Sequence, residues 1–282
     1  MHTGFNVADL TLLLAQQVAE QSLSLPMLPA VANEVLALTQ TETTDAARLS
    51  QVMHRDPALA SNVLRVANSA AFVGQVPCAS LQQAVSRLGL QRVTEIALAL
   101  AVKGSVFGKK RHAQLFAGIW KHSVVTAFFT KEIARTRRRN VEISFMCGLL
   151  HDLGQAVLLS TAEQLLPNET FTAADLSGGL HAQHGAAGAL LGRHWALPEQ
   201  IVEAIEHHHD FSKATKFQEM AMTVCLADLL AHLVADPDAP APKTSESLRQ
   251  HPVLQGLNLY QDQLDALLGK APMALLAAEG MQ

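Results

Sequence analysis

The chain has 282 residues and a formal net charge of −4, and 49% of its residues are hydrophobic while only 5% are aromatic. A chain of this length buries about three quarters of its unfolded surface, so a sizeable core is expected. The weak negative charge argues against general nucleic-acid binding.

Helical periodicity dominates the sequence. The first segment, FNVADLTLLLAQQVAE (5–20), repeats apolar residues on one helical face, and leucine and alanine are strong helix formers. Residue types suited to helix ends follow: Thr44 and Asp45 as caps, Pro57 near a first turn and Gly89 at a stop. We expect helices, in chain order, over 5–20, 30–39, 44–53, 56–70, 80–89, 91–103, 114–136, 141–151, 181–194, 198–208, 217–234 and about 260–279. No strand is predicted, and 236–247 is interpreted as a surface loop.

Histidines and aspartates occur in five separated segments of the second half: WKHS, GLLHDLGQ, HAQHGAAGALL, AIEHHHD and CLADLLAH. Imidazole and carboxylate are ligands that borderline-to-hard divalent metals prefer. The candidate metal ligands are His122, His151, Asp152, His184, His208, His209 and Asp228. Residues 22–108, by contrast, offer only His54 and are interpreted as a helical subdomain.

The adjacent pair His151-Asp152 constrains how such a site is built. Neighbouring side chains on a continuous helix point about 100° apart, so the pair must face a cavity from a helix start or flank one metal and bridge to another. Two metals about 3.5–4 Å apart would clamp a phosphoryl group and generate a hydroxide. A carboxylate can bridge two metals whereas an imidazole cannot, which makes Asp152 the natural bridging ligand.

Nearby histidines are alternatives to this set. Any one histidine taken alone is more often a surface or satisfied core residue than a ligand. His207 competes with its two neighbours, although the AIxxHH spacing favours them. His181 shares a helix face with His184 and is expected on the solvent side. His232, one turn after the last candidate aspartate, is a weaker candidate for the cavity.

Two basic clusters are KKRH (109–112) and RTRRR (135–139). They could contact a nucleotide phosphate or an acidic partner. The alternative is a solvated loop and a helix C-terminus whose dipole favours cations, and we prefer that interpretation.

The sequence offers no targeting or membrane signal. The first ten residues lack lysine and arginine, so they do not form the basic start of a signal peptide. The longest apolar runs, such as IALALAV (96–102), fall short of the roughly 20 residues that span a bilayer. The three cysteines are far apart in apolar contexts, as reduced core residues are. We therefore expect a cytoplasmic protein with no membrane association.

The order of the candidate ligands resembles the HD superfamily of metal-dependent phosphohydrolases. Further segments make the chain similar to the HDOD family, the HD-related output domain of bacterial signalling. The resemblance covers roughly residues 22–232. The matching segments are LPMLPAVANEVLAL (25–38), HRDPALASNVLRVANSAAF (54–72), SLQQAVSRLGLQRV (80–93), IWKHSVVTAFFTKEIA (119–134), FMCGLLHDLGQAVL (145–158) and HGAAGALLGRHWALPEQIVEAIEHHH (184–209).

The resemblance implies an all-α fold in which an HD-like helical bundle follows an N-terminal helical subdomain. The expected divisions are an N-terminal helix, the N-terminal subdomain, an HD-like metal-site subdomain, and a C-terminal loop and helix. Their bounds are 1–21, 22–108, 109–235 and 236–282.

Two departures from the catalytic HD pattern bear on activity. The HDxGK signature reads HDLGQ, so Gln155 stands where a lysine would supply charge to a substrate phosphate. The GYP extension of the cyclic-di-GMP phosphodiesterases is also absent, because Asp210, Phe211 and Ser212 follow the histidine run. HDOD domains are viewed as HD relatives that lost catalysis, yet this chain keeps most of the ligand pattern.

Two functions of different classes follow from the sequence. The first is a bacterial signal-transduction output module that binds a signalling partner protein or nucleotide-type ligand and retains an HD-type metal site. The second is a metal-dependent phosphohydrolase or phosphodiesterase acting on a nucleotide or cyclic dinucleotide. We favour the first because of Gln155 and the missing extension. One or two divalent ions are expected, with Fe, Mn, Zn or Ni favoured over Mg.

Overall fold

The computed structural model of the protein describes residues 7–39, 46–72, 76–107, 111–235 and 245–281. These residues form α-helices, one short 3₁₀ turn and connecting loops, and no strand occurs within those ranges. The predicted all-α fold class is therefore confirmed.

The described helices are short in the first third of the chain and longest around the candidate ligands. Their bounds are α1 (Val7–Ala19), α2 (Ala30–Thr39), α3 (Ala46–His54), α4 (Pro57–Ala67), α5 (Leu81–Leu88), α6 (Leu90–Val106), α7 (Ala113–Thr136), α8 (Val141–Leu150), α9 (Leu153–Leu165), α10 (Ala173–His194), α11 (Glu199–His207), α12 (Gln218–Ala235), α13 (Ser245–Arg249), α14 (Pro252–Gly256), α15 (Gln261–Leu268) and α16 (Ala271–Gly280).

Helix α6 is the centre of the N-terminal part. Helices α2, α4 and α5 pack against it, and its side chains are buried throughout 93–102. Two predicted helix ends are confirmed here. Asp56 accepts a hydrogen bond from the Leu59 amide at 3.0 Å to cap α4, and α5 ends at Gly89 with a φ of 85° that glycine adopts without strain. The predicted caps Thr44 and Asp45 lie outside the described residues.

Helix α7 has the corresponding place in the second half. Helices α8, α12 and α16 pack against it, and every side chain over 122–134 is buried. The indole N–H of Trp120 donates to the carbonyl oxygen of Met281 at 3.1 Å, which ties the C-terminal helix to α7. On the other side of the candidate ligands, α10 packs against α9 and α11.

The two halves are in contact at several places. Helix α1 packs against α10 and α9, and α6 contacts α8 and α9. A buried ion pair between Glu95 of α6 and Lys131 of α7 also joins them. Removing one partner of such a pair would leave an uncompensated buried charge. The divisions proposed after residues 21, 108 and 235 stay predictions.

Helical periodicity did not predict α9, and it placed the start of α10 too late in the chain. Helix α9 is buried on most of its surface, so it lacks the polar face that makes a helix visible in a sequence. Helix α10 begins at Ala173 rather than at residue 181. Its start is a capping box, in which Thr172 and Asp175 each bond the other's backbone amide.

The prediction of one continuous C-terminal helix was wrong. The single helix expected over 260–279 is two helices, α15 and α16, separated by Gly269 and Lys270. Pro272 lies in the first turn of α16, where proline is tolerated, but it could not continue a helix from α15. Of the predicted loop, 236–244 lies outside the described residues, and 245–247 begins α13.

The described arginines of the basic clusters make contacts within the chain. Arg137 and Arg139 both donate to the Glu219 carboxylate at 2.8 Å. Arg111 donates to the carbonyl oxygen of Leu166 at 3.0 Å, just after the end of α9. These contacts favour a structural role for the clusters.

Two helical stretches within the described ranges, Val141–Leu165 and Gln218–Ala235, are long and apolar enough to cross a membrane. The share of their apolar windows buried inside the bundle is 83% and 61%, and core helices of soluble proteins have the same composition. They are therefore weak evidence for a membrane span, and a cytoplasmic location stays a prediction. The three cysteines are buried and form no disulfide.

Candidate metal centre

A break between two helices brings His151 and Asp152 to one site. Helix α8 ends at Leu150 and α9 begins at Leu153, so the two residues lie between the helices. Asp152 has φ −104° and ψ 8°, outside helical geometry, and this redirects its side chain. In this arrangement His151 Nε2 lies 3.4 Å from Asp152 Oδ2.

A first group of ligand atoms gathers around Asp152 Oδ2 and Asp228 Oδ1. His122 Nε2, from α7, lies 2.8 Å from Asp228 Oδ1 and 3.7 Å from Asp152 Oδ2. His151 Nε2 lies 3.6 Å from Asp228 Oδ1. We call this group the first position; it joins α7, α12 and the α8–α9 break.

A second group lies on the other side of the same carboxylate. Asp152 Oδ1 is 3.4 Å from His184 Nε2 and 3.9 Å from His208 Nε2, and the two imidazole nitrogens are 3.1 Å apart. His209 Nε2 is 3.0 Å from His184 Nε2. We call this group the second position. The two oxygens of Asp152 thus face different positions, as a bridging carboxylate requires.

Three of the histidines have their rings oriented by backbone carbonyls. His151 Nδ1 lies 2.8 Å from the Gly148 oxygen, and His184 Nδ1 lies 2.8 Å from the Leu180 oxygen. His208 Nδ1 makes the same contact at 2.7 Å, with the carbonyl three residues before it. A carbonyl only accepts, so each Nδ1 carries a proton and Nε2 is the nitrogen of each ring that faces the cluster. Metal-ligating histidines are commonly held in this way.

The unsatisfied atoms of the cluster fit a bound cation. His151 Nε2 and Asp152 Oδ1 are buried and have no hydrogen-bond partner among the described residues. The Nε2 lone pairs of His184 and His208 face each other, which is repulsive with nothing between them. Buried polar groups without partners are costly, and an ion at each position would satisfy them.

The electrostatics of the cluster also suit a cation. Burial alone would lower the pKa of His151, but the carboxylates of Asp152 and Asp228 outweigh it and raise that pKa to about 9. Burial opposes ionisation of Asp152, yet the surrounding histidines, His151 first, hold its pKa below the usual range. Burial lowers the pKa of His208 well below its ordinary value and that of His209 to about 4. The two are therefore neutral at neutral pH, the form that binds metals.

All seven residues predicted as ligands converge on this cluster. Metal binding by them stays a prediction. Of the alternatives, His207 contributes to no group of potential ligands within the described part of the chain. Two others do contribute: His232 Nε2 lies 3.3 Å from Asp228 Oδ1, and His181 forms a group with His184 and His209. Their spacings of four and three residues from predicted ligands were the available signal.

Gln155, the residue in place of the HDxGK lysine, lies in the first turn of α9 and is half-buried. Its backbone amide donates to the Asp152 carbonyl at 2.9 Å. A neutral amide therefore stands one turn from the carboxylate of Asp152.

Comparison with known proteins places this fold in a family. The HDOD domain model matches residues 25–211, about two thirds of the chain. An uncharacterized protein of Treponema pallidum (strain Nichols) is 25% identical over 246 residues, which make up 83% of this chain and 47% of that protein. The chain thus spans about half the length of this relative.

Solved structures of similar shape are known. An HDOD domain protein of unknown function from Geobacter sulfurreducens superposes with a TM-score of 0.74 at 21% identity, over 98% of this chain and 99% of that one. A protein from Shewanella amazonensis, provisionally named a metal-dependent phosphohydrolase, gives a TM-score of 0.72 at 19% identity, over 97% and 99% of the two chains. At these identities the likeness shows the fold alone. Because the family model spans both the N-terminal helices and most of the ligand-bearing helices, the chain belongs to the HDOD family.

Proposed function

We propose that this HDOD chain is an output module of bacterial signal transduction that retains a two-position metal centre and uses it to hold a signalling partner or a phosphate-bearing, nucleotide-type ligand. One observation carries the proposal: the two carboxylate oxygens of Asp152 face separate groups of histidines. His122, His151 and Asp228 would hold one ion with Asp152. His184, His208 and His209 would hold the other.

The charges of the cluster support a phosphate-bearing ligand. The imidazoles are neutral ligands, and Asp152 and Asp228 contribute the only negative charges among the seven candidates. Two divalent cations would therefore leave a net positive charge at the centre, which attracts an anion. When bound, such ions polarise phosphoryl oxygens and lower the pKa of a coordinated water.

Gln155 favours binding over turnover. A lysine there would place a cation near a substrate phosphate, whereas an amide offers a weaker, neutral contact. The chain's side chains would then position a phosphate without stabilising the charge that develops during its hydrolysis. The ligand set, of borderline nitrogen donors with two carboxylates, suits Fe, Mn, Zn or Ni better than Mg.

The second candidate is a metal-dependent phosphohydrolase or phosphodiesterase acting on a nucleotide or cyclic dinucleotide. The convergence of all seven ligand candidates favours it, because a purely structural bundle does not need so many buried ionisable groups.

Metal analysis followed by ligand screening tests both functions. The protein is purified without chelator and its metal is counted against the His151→Ala/Asp152→Ala variant. Inorganic phosphate, nucleotides and cyclic dinucleotides are then screened for a metal-dependent rise in melting temperature and for hydrolysis. The output-module proposal expects bound metal and stabilisation with little or no hydrolysis. Metal no higher than in the variant would refute the metal centre, and robust hydrolysis would establish the second candidate.

A further inference from the structure

Three histidines of decreasing solvent exposure lead from the surface to the second position. His181 is exposed, the His209 side chain is 39% exposed, and His184 is only 1% exposed. Their potential ligand atoms all lie within 4.8 Å of one another. We call His181 and His209 the mouth histidines.

His184 cannot serve two ions at once. Its Nδ1 donates a hydrogen bond to the Leu180 carbonyl, so Nε2 is its only nitrogen that can bind a metal. That atom is 3.0 Å from His209 Nε2 on the outer side and 3.4 Å from Asp152 Oδ1 on the inner side. An ion held by the mouth histidines and His184 therefore excludes the use of His184 by an ion at the second position. The two arrangements are therefore mutually exclusive.

The ligands of the two arrangements differ in charge, and this difference favours movement of the ion from the outer arrangement to the inner one. The outer one has three neutral imidazoles, which bind borderline metals such as zinc, cobalt and nickel but add no charge. The inner one adds the carboxylate of Asp152 together with His208. An ion gains a negatively charged ligand as it moves inward, and this attraction favours the inner arrangement.

We propose that the mouth histidines capture a divalent transition metal from solvent and pass it to the second position through the shared Nε2 of His184. The inference rests on the metal centre proposed above. His181 is then a transient ligand: it sets how fast the centre loads and not how tightly the loaded centre holds its ion.

The experiment measures the rate of Co²⁺ uptake by the metal-stripped full chain, followed by stopped-flow absorbance. The test variant is His181→Ala. The matched control is His194→Ala, which removes another exposed histidine of α10. Final metal content and dissociation constant are measured on the same samples, and the release rate is followed with excess chelator.

We expect uptake and release of His181→Ala to slow by the same factor, because the loss of a transient ligand raises the barrier between solvent and the second position without changing either end state. The final metal content and the dissociation constant should stay those of the unaltered protein. His194→Ala should behave as the unaltered protein does. His181→Cys, which restores a metal-binding side chain, should recover most of the rate.

Other outcomes separate the two ideas. Equal rates for the unaltered protein and His181→Ala, with normal metal content, would overturn the loading path and leave the metal centre standing. A loss of one equivalent in His181→Ala would make His181 a resident ligand and also overturn it. No uptake by the unaltered protein would refute the metal centre itself.

Discussion

Gly154 of α9 packs directly on the backbone of His184 in α10. A β-carbon on residue 154 would overlap the His184 carbonyl oxygen and would lie 2.6 Å from the amide nitrogen of Gly188. Asp152 immediately precedes α9, so this contact brings its carboxylate close to His184 of the second position. The glycine of the HDLGQ segment is thus a spacing residue of the site.

Gly154→Ala should therefore separate α9 from α10 and weaken both the fold and the second position. We expect a loss of about 1–3 kcal/mol in the free energy of unfolding, as for other overpacked cores, and reduced metal affinity. Gly118→Ala is the control, because a β-carbon there meets nothing within 4 Å in α7. It should be neutral or stabilise by up to about 1 kcal/mol. Chemical denaturation of both variants checks this, and equal stabilities would contradict it.

Asp152→Asn should lower the number of bound metal ions more than the removal of a histidine from one position does. The amide keeps the shape of the carboxylate but cannot bridge two cations as a charged ligand. His208→Ala removes a ligand that faces only the second position. If the unaltered protein binds two ions, His208→Ala should retain about one equivalent and Asp152→Asn should lose affinity for both. Metal counting after dialysis measures this, and a loss of only one ion in Asp152→Asn would argue against bridging.

Gln155→Lys should raise metal-dependent hydrolysis of phosphodiesters. The added cation would stabilise charge on the phosphate, and such contacts are typically worth about 10²–10³ in rate. Gln155→Met, which is neutral and of similar length, is the matched control and should show no gain. Steady-state assays with bound metal decide the matter. No gain in Gln155→Lys, with metal content unchanged, would show that more than one residue limits activity.

Stability should depend on Glu203 at acidic pH. Partial burial opposes its ionisation, but backbone amides of Thr215, Lys216 and Phe217 bond the carboxylate and lower its pKa to about 2. The folded-state pKa lies below the unfolded value, so this stabilisation is fully present above about pH 4.3 and is lost as the pH falls toward 2.

Glu203→Gln should therefore destabilise the protein at neutral pH by about 1–2 kcal/mol after allowance for solvent screening. The difference from the unaltered protein should shrink as the pH is lowered. Glu199→Gln is the control, because Glu199 pairs with Lys216 at the surface with 64% of its side chain exposed. It should have little effect. Melting temperatures from pH 7 down to 3 check this, and a constant difference would contradict the assignment.

The sequence predicted the all-α fold class and named the seven residues that converge on the cluster, because both depend on residue type and helical spacing. That Asp152 bridges two metals stays a prediction. The sequence did not predict helix α9, since a helix buried on most sides has no polar face. It also left open how His151 and Asp152 meet, since that depends on the break between α8 and α9, which helical spacing does not predict.

His181 and His232 show a second limit of predicting a site from residue spacing along a helix. Both lie one turn from a predicted ligand, so the sequence placed them on the correct face. His181 is exposed, as expected, yet its ring centroid is 4.9 Å from that of His209. That proximity depends on how α10 and the end of α11 pack, which a single helix pattern does not contain.

The hydrogen bonds from histidine Nδ1 atoms to backbone carbonyls give some of these residues a structural role besides any metal binding. His151 and His208 follow the last residues of α8 and α11, and their Nδ1 atoms engage carbonyls of the final turns, at Gly148 and Ile205. Carbonyls at a helix end lack intrahelical partners, so these imidazoles also close their own helices. A chain that had abandoned chemistry would still gain from keeping both. His184 lies within α10 and closes no helix end, so its replacement would change the cluster without opening a helix end.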